Sequence, residues 1–112
     1  MMNNDPALDH LYHALADGHR RAMIDRLAAG PLTVSDLATP LKISLPAVMQ
    51  HIAVLETAGL LHSEKRGRVR TCTLSPAAMT KAEAWISDRR RLVEGQLTRL
   101  ERYLAQPEKD EK

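Results

Sequence analysis

Residues Thr33 to Gly59 read TVSDLATPLKISLPAVMQHIAVLETAG, and two short amphipathic segments are legible in them. Thr33 and Asp36 form a T-x-x-D capping signature ahead of Leu37, Ala38 and Leu41, since a side-chain hydroxyl at that place satisfies a free backbone N–H of the first turn. A break is expected around Lys42 and Ile43. Ser44 then offers an N-cap for a second helix, with Pro46 tolerated in its first turn. Val48, Ile52 and Leu55 fall at i, i+4 and i+7, one stripe to be buried. Gly59 suits the left-handed position that ends such a helix. The opposite face presents Pro46, Met49, Gln50, Ala53 and Thr57. This is the layout of a helix-turn-helix, whose second helix enters a major groove. It also fits any small domain with two adjoining helices, so the surroundings decide.

Downstream the periodicity changes. Leu60 to Glu64 and Val69 to Leu74 are β-prone runs flanking Lys65-Arg66-Gly67-Arg68, which predicts a hairpin over 60–74 with glycine at its tip. Its charge is lopsided, with Lys65, Arg66, Arg68 and Arg70 set against Glu64 alone. Ser75-Pro76 restarts a helix that can run over 76–106. Ile86, Val93 and Leu100 lie seven apart, with Leu97 and Leu104 four after two of them, a heptad-like seam for a partner helix. The polar run Ser87 to Arg91 reads as a solvated face or a bend. Upstream, Leu8, Leu11, Tyr12 and Leu15 mark a first helix from Ala7 to Ala16. Asp17 is placed to cap a second over His19 to Ala29, which buries Ala22, Met23, Ile24 and Leu27 and turns Arg20, Arg21, Asp25 and Arg26 outward. Gly30-Pro31 ends it. Residues 1–6 and 107–112 read as flexible tails around a single domain over 7–106.

The chain has 112 residues, which bounds it to one domain, or one domain with an extension. With no Phe, one Trp and two Tyr, the core rests on aliphatic residues and Met, which suits helices better than an aromatic-rich sandwich. The 16 Lys and Arg against 14 Asp and Glu give a net charge of +2, too little to argue for nucleic acid without the local clustering. A single cysteine excludes an internal disulfide and points to a reducing compartment. The polar start predicts no signal peptide, and no apolar run approaches the ~20 residues of a membrane helix. A soluble, cytoplasmic protein is expected. There is no nucleophile–base arrangement, phosphate loop or carboxylate pair, so no enzyme and no cofactor are expected.

The segments LYHALADGHRRAMIDRL, GPLTVSDLATPLKISLPAVMQHIAVLETAGLL and KRGRVRTCTL resemble the ArsR/SmtB group of bacterial winged helix-turn-helix repressors, over roughly Leu8 to Leu100. The resemblance implies a mainly α fold with a small β-hairpin and a long C-terminal dimerisation helix. It implies a homodimer formed by the first and last helices, with Leu8, Leu11, Tyr12, Ile86, Val93, Leu97, Leu100 and Leu104 at the interface. Two recognition helices then meet consecutive major grooves of double-stranded DNA, with the hairpins as wings. Some members of the group sense metal through a Cys-x-Cys pair before the recognition helix, where this chain has Thr33-Val34-Ser35-Asp36-Leu37. Others use His and carboxylates on the last helix, and no His follows His62. The chain therefore resembles the metal-independent branch. Met49 and Gln50 replace a small hydroxyl residue and a basic one common in the group, and Gly18-His19 replaces Pro-Thr.

The expected DNA contacts are Ser44, Pro46, Ala47, Met49, Gln50 and His51 on the recognition helix and Lys65, Arg66, Arg68 and Arg70 on the wing. Gln50 can bond an adenine edge with both ends of its amide, and Met49 can meet a thymine methyl. Ser44 and the helix N-terminus can hold a phosphate. His51 reaches a phosphate or packs half-buried against the preceding helix. Arg20 and Arg21 are expected to pair with carboxylates within the domain rather than approach DNA. Cys72 reads as a buried thiol, and His10 with His13, at i and i+3, as a surface or interface pair rather than a metal site. Trp85 reads as core or interface. The reading is a homodimeric repressor on an inverted-repeat operator, with an effector that no residue pattern identifies. The alternatives are a winged-helix protein-interaction module and a repressor switched through Cys72.

Overall fold

Capping decides where the helices begin, and each cap is a short polar side chain. Asp5 accepts hydrogen bonds from the N–H groups of Ala7 and Leu8, so helix α1 runs from Pro6 to Leu15. Asp17 does the same for His19 and Arg20 at the start of α2, Gly18–Leu27. Thr33 accepts from Asp36 N to open α3, Val34–Ala38, and Ser44 accepts from Ala47 N to open α4, Leu45–Thr57. Between α3 and α4 lies a 3-10 turn, Thr39–Leu41, closed by Lys42 in the left-handed region at φ 56. This computed structural model describes residues 5–107, and the flexible tails expected at residues 1–4 and 108–112 lie outside them. Asp5 and Pro6 belong to α1 rather than to a tail.

The end of α4 is a Schellman motif. Gly59, at φ 77, donates to Glu56 O at 2.9 Å, and Leu60 N donates to Leu55 O at 3.0 Å. Leu55 and Leu60 are both fully buried beside that junction, which is the apolar contact such a stop favours. The chain then enters β2, Leu61–Arg66, and returns as β3, Val69–Leu74. Arg66 pairs with Val69, so Gly67 and Arg68 alone make the turn, with Gly67 at φ 63. A glycine first in a two-residue loop matches the right-handed twist of the flanking strands.

The sheet has three strands, where a two-stranded hairpin was expected. Leu32 and Thr33 form β1, which pairs antiparallel with β3 through Leu32–Cys72 and Thr33–Thr71, giving the order β1-β3-β2. The core comprises Leu8, Leu11, Ala14, Met23, Ile24, Leu27, Leu37, Val48, Ile52, Leu55, Ala58, Leu60, Leu61, Cys72 and Ala82. Leu11 is 1% exposed and Leu8 9%, so both pack inside the domain and are not surface residues awaiting a partner. Tyr12 is half-buried and donates its hydroxyl to Ala82 O at 2.8 Å.

Helix α5 runs unbroken from Ala77 to Ala105. The polar run Ser87 to Arg91 is thus a solvated face, with Asp88 bonded to Arg91 and the Arg89 guanidinium 4.4 Å over the Trp85 ring. The described residues divide into two units, one ending at Ala82 and one starting at Glu83. In the second unit Ile86, Leu92, Val93, Leu97, Leu100, Tyr103 and Leu104 are between 49% and 72% exposed. No helix among the described residues is long and apolar enough to cross a membrane.

Two measurements check this account. Ile52→Ala removes a 1%-exposed side chain from the centre of the core and should cost about 2–5 kcal/mol in denaturant unfolding. The Asp17 carboxyl is held below its ordinary 3.8, chiefly by the Arg20 backbone N–H against an opposing desolvation, with the His19 N–H next and the His51 and Arg20 charges after it. Its stabilisation is therefore full above 3.8 and lost as pH falls through the lowered folded value. Asp17→Asn keeps an acceptor at the cap, so its melting temperature should fall less steeply than the wild type's between about pH 5 and about pH 2.

Candidate nucleic-acid interface

Helix α4 is anchored on one side and bare on the other. Val48, Ile52 and Leu55 are at most 1% exposed, which fixes the rotation of the helix about its axis. Pro46, Met49, Gln50, Ala53 and Thr57 stand out from the opposite side, as their spacing predicts. Ser44 is exposed and its hydroxyl is engaged at 3.3 Å with Ala47 N, while Ala47 itself is half-buried. The N–H groups of the first turn of a helix carry partial positive charge, so this end suits a phosphate.

The wing brings its cations to the same side. An open groove of about 370 Å³ is lined by Met49 and Leu45 from α4, Lys65 from β2, and Arg68, Val69 and Arg70 from the turn and β3. Thr33, Val34 and Ser35 close its other edge. These three and Leu45 line the groove and were not among the residues expected from the sequence. An exposed leucine at the first helical position, 57% accessible, was the available signal. The edge formed by 33–35 depends on the β1–β3 pairing, which two residues of sequence do not announce.

Not every wing cation is equally free. Lys65 and Arg68 are exposed. Arg66 lies 3.6 Å from Glu64, with both side chains well exposed, a pairing of small energetic weight. Arg70 is half-buried and donates to Ser63 Oγ at 2.9 Å. Ser63 in turn donates from Oγ and from its backbone N to Glu56 Oε2, at 2.9 and 3.2 Å. This chain of bonds ties both strands of the wing to the last turn of α4.

The remaining predicted residues fall elsewhere. His51 is half-buried, one of its two expected readings, but its partner is α2 rather than the preceding helix: Arg20 Nη1 is 3.2 Å from its Nδ1, and the His19 ring lies 5.7 Å away. Arg20 is buried and binds Ala14 O and His13 O, and Arg21 binds Leu15 O at 2.7 Å. Both arginines therefore satisfy the last carbonyls of α1, where carboxylate partners were expected, and Arg20 does not face outward. Arg26 does the same for α3, donating to Asp36 O at 2.6 Å. His10 and His13 are exposed beside a shallow groove of about 200 Å³ with Ala53, Val54 and Thr57. Among the described residues no three of His, Cys, Asp and Glu gather as metal ligands. Cys72 is fully buried. Burial pushes its thiol up, the Glu56 charge adds to this, and Arg70 opposes it, a setting that disfavours the reactive thiolate.

The arrangement has counterparts among known proteins. A helix-turn-helix domain family matches residues 15–64. The chain is 48% identical over 71 residues to the HTH-type transcriptional regulator Rv2034 of Mycobacterium tuberculosis, covering 63% of this chain and 66% of that protein. It is 38% identical over 81 residues to the arsenical resistance operon repressor of Escherichia coli, covering 67% of this chain and 69% of the repressor. A crystal structure of an ArsR family transcriptional regulator superposes with a TM-score of 0.79 at 42% identity, covering 84% of this chain and 97% of that one. Family and fold are those of transcriptional regulators, not of enzymes. With its helix-turn-helix, its basic wing and these likenesses, the chain belongs to the ArsR family of winged helix-turn-helix transcriptional regulators.

Proposed function

We propose that the chain is a cytoplasmic transcriptional repressor that binds an inverted-repeat operator as a homodimer, through α4 and the wing. The observation that carries this reading is the groove shared by Met49, Lys65, Arg68 and Arg70 beside the bare side of α4. It sets apolar and amide groups for base edges next to cations for phosphates, the division of labour that sequence reading requires. Ser44, Pro46, Ala47, Met49 and Gln50 belong to the major-groove side, with His51 held behind them by Arg20, and Lys65, Arg66, Arg68 and Arg70 to the backbone side. Repression is the activity named in the Escherichia coli relative. The absence of the Cys-x-Cys pair from residues 33–37 supports an effector other than a metal held there, and so a metal-independent member.

The dimer reading is supported by Ile86, Val93, Leu97, Leu100 and Leu104, which are 49–72% exposed along one side of α5. A contiguous apolar arc of this kind marks an association surface. Two-fold symmetry then places half-sites about 10 bp apart.

Operator titrations at several salt concentrations test both parts. Arg68→Ala should weaken binding to every sequence alike and reduce the salt slope by about one. Gln50→Ala should instead change preference at particular base pairs, by about 1–3 kcal/mol at an adenine it contacts. Equal binding to operator and random DNA across the salt series would end the proposal. Leu97→Glu puts a charge into the seam and should yield monomers in sedimentation, with operator binding that requires far higher protein concentration. A dimer unaffected by that change would move the interface away from α5.

A further inference from the structure

Arg20 is the buried charged residue among the described residues, at 8% exposure. Two of its nitrogens are spent on the end of α1: Nε donates to Ala14 O at 2.8 Å and Nη2 to His13 O at 2.9 Å. Its third contact is Nη1 to Nδ1 of His51, at 3.2 Å, on the recognition helix itself. A guanidinium has donors only, so Nδ1 of His51 must be the acceptor. A hydrogen bond at this joint requires a neutral imidazole that carries its proton on Nε2. A protonated ring has donors on both nitrogens and no lone pair for Arg20. Acidification thus converts a hydrogen bond into two facing donors on two cations.

We propose that Arg20 is a positioning residue of the DNA-reading surface, holding α4 to the α1–α2 junction through neutral His51, and that protonating His51 releases the hold. The inference rests on the function proposed above and names a regulation of the same site. The groups around His51 set the sign. From α2 come the Arg20 charge and the His19 ring, with centroids 5.7 Å apart for the two imidazoles. The Asp17 carboxylate at the N-cap of α2 is the one anion, and it is already bonded to the N–H groups of His19 and Arg20. From α1 come backbone carbonyls, already bonded to Arg20, and the exposed rings of His10 and His13 on the α4 side. A second positive charge at His51 thus meets the fixed Arg20 charge at 3.2 Å, while Asp17 attracts it from the cap of α2. A histidine that merely touched phosphate would do the reverse, since added positive charge strengthens DNA binding.

The test uses the full chain. Long-range 15N–1H spectra at about pH 7.5 should show His51 in the single Nε2–H form. An Nδ1–H form, or a mixture of the two tautomers, overturns the assignment. Operator affinity is then compared at about pH 7.5 and about pH 5.5 for the wild type and His51→Asn, whose amide oxygen offers Arg20 a non-titrating acceptor. On acidification the wild type should lose about fivefold more affinity than His51→Asn, the worth of one ordinary hydrogen bond. An equal loss, or a gain, overturns the proposal. If no operator is preferred by either protein, the DNA reading fails. The hold is then judged by the tautomer and by α4 amide exchange at about pH 5.5, which should be faster in the wild type than in His51→Asn and overturns the proposal if it is not.

Discussion

Everything the recognition surface presents depends on the burial of Val48, Ile52 and Leu55 on the far side of α4. These three side chains are at most 1% exposed, and one full turn separates the first two. They leave the helix no freedom to roll, because a rotation that exposed any of them would cost about 1.5–3 kcal/mol per side chain. The caps complete the constraint along the axis. Ser44 fixes the start of the helix, and the Gly59–Leu60 Schellman bonds fix its end. Position, roll and length of α4 are thus set by groups that never face outward.

The wing inherits that placement. Leu60 carries the chain directly from the end of α4 toward β2, and its carbonyl accepts from Ser75 N at 2.8 Å, closing the far end of the hairpin. Glu56, Ser63 and Arg70 add a polar tie between the helix and both strands. Arg70 therefore divides its charge between a structural bond and the groove, whereas Lys65 and Arg68 are free for the groove alone. The six paired positions from Leu61–Leu74 to Arg66–Val69 hold register, and a slip by one residue would turn the whole set of side chains to the other face.

Much of this was legible because its causes are local. Thr33, Asp17, Ser44 and Gly59 act on backbone groups within three or four residues, so their roles follow from order in the chain. The glycine-tipped hairpin and the family resemblance were legible for similar reasons. What escaped was set by distant segments. β1 exists only because β3 offers it an edge. Arg20 turns inward because the open carbonyls of α1 lie within reach, a fact that the periodicity of α2 alone cannot contain. Leu11 was assigned to an interface since an apolar stripe on a first helix looks the same whether its own domain or another covers it. The continuity of α5 through Ser87 to Arg91 was open because a polar run reads equally as a bend.

The length of α5 carries a thermodynamic corollary. Its 29 residues span about 43 Å at 1.5 Å per residue, yet the core draws on it through Ala78, Met79 and Ala82. From Glu83 onward its large apolar side chains are substantially open to solvent. Most helical stability in proteins comes from tertiary packing of an apolar face. Helicity from Glu83 onward therefore draws little on the core of its own domain. Under the dimer proposed above it would fall on dilution, so the ellipticity of the protein would depend on its concentration.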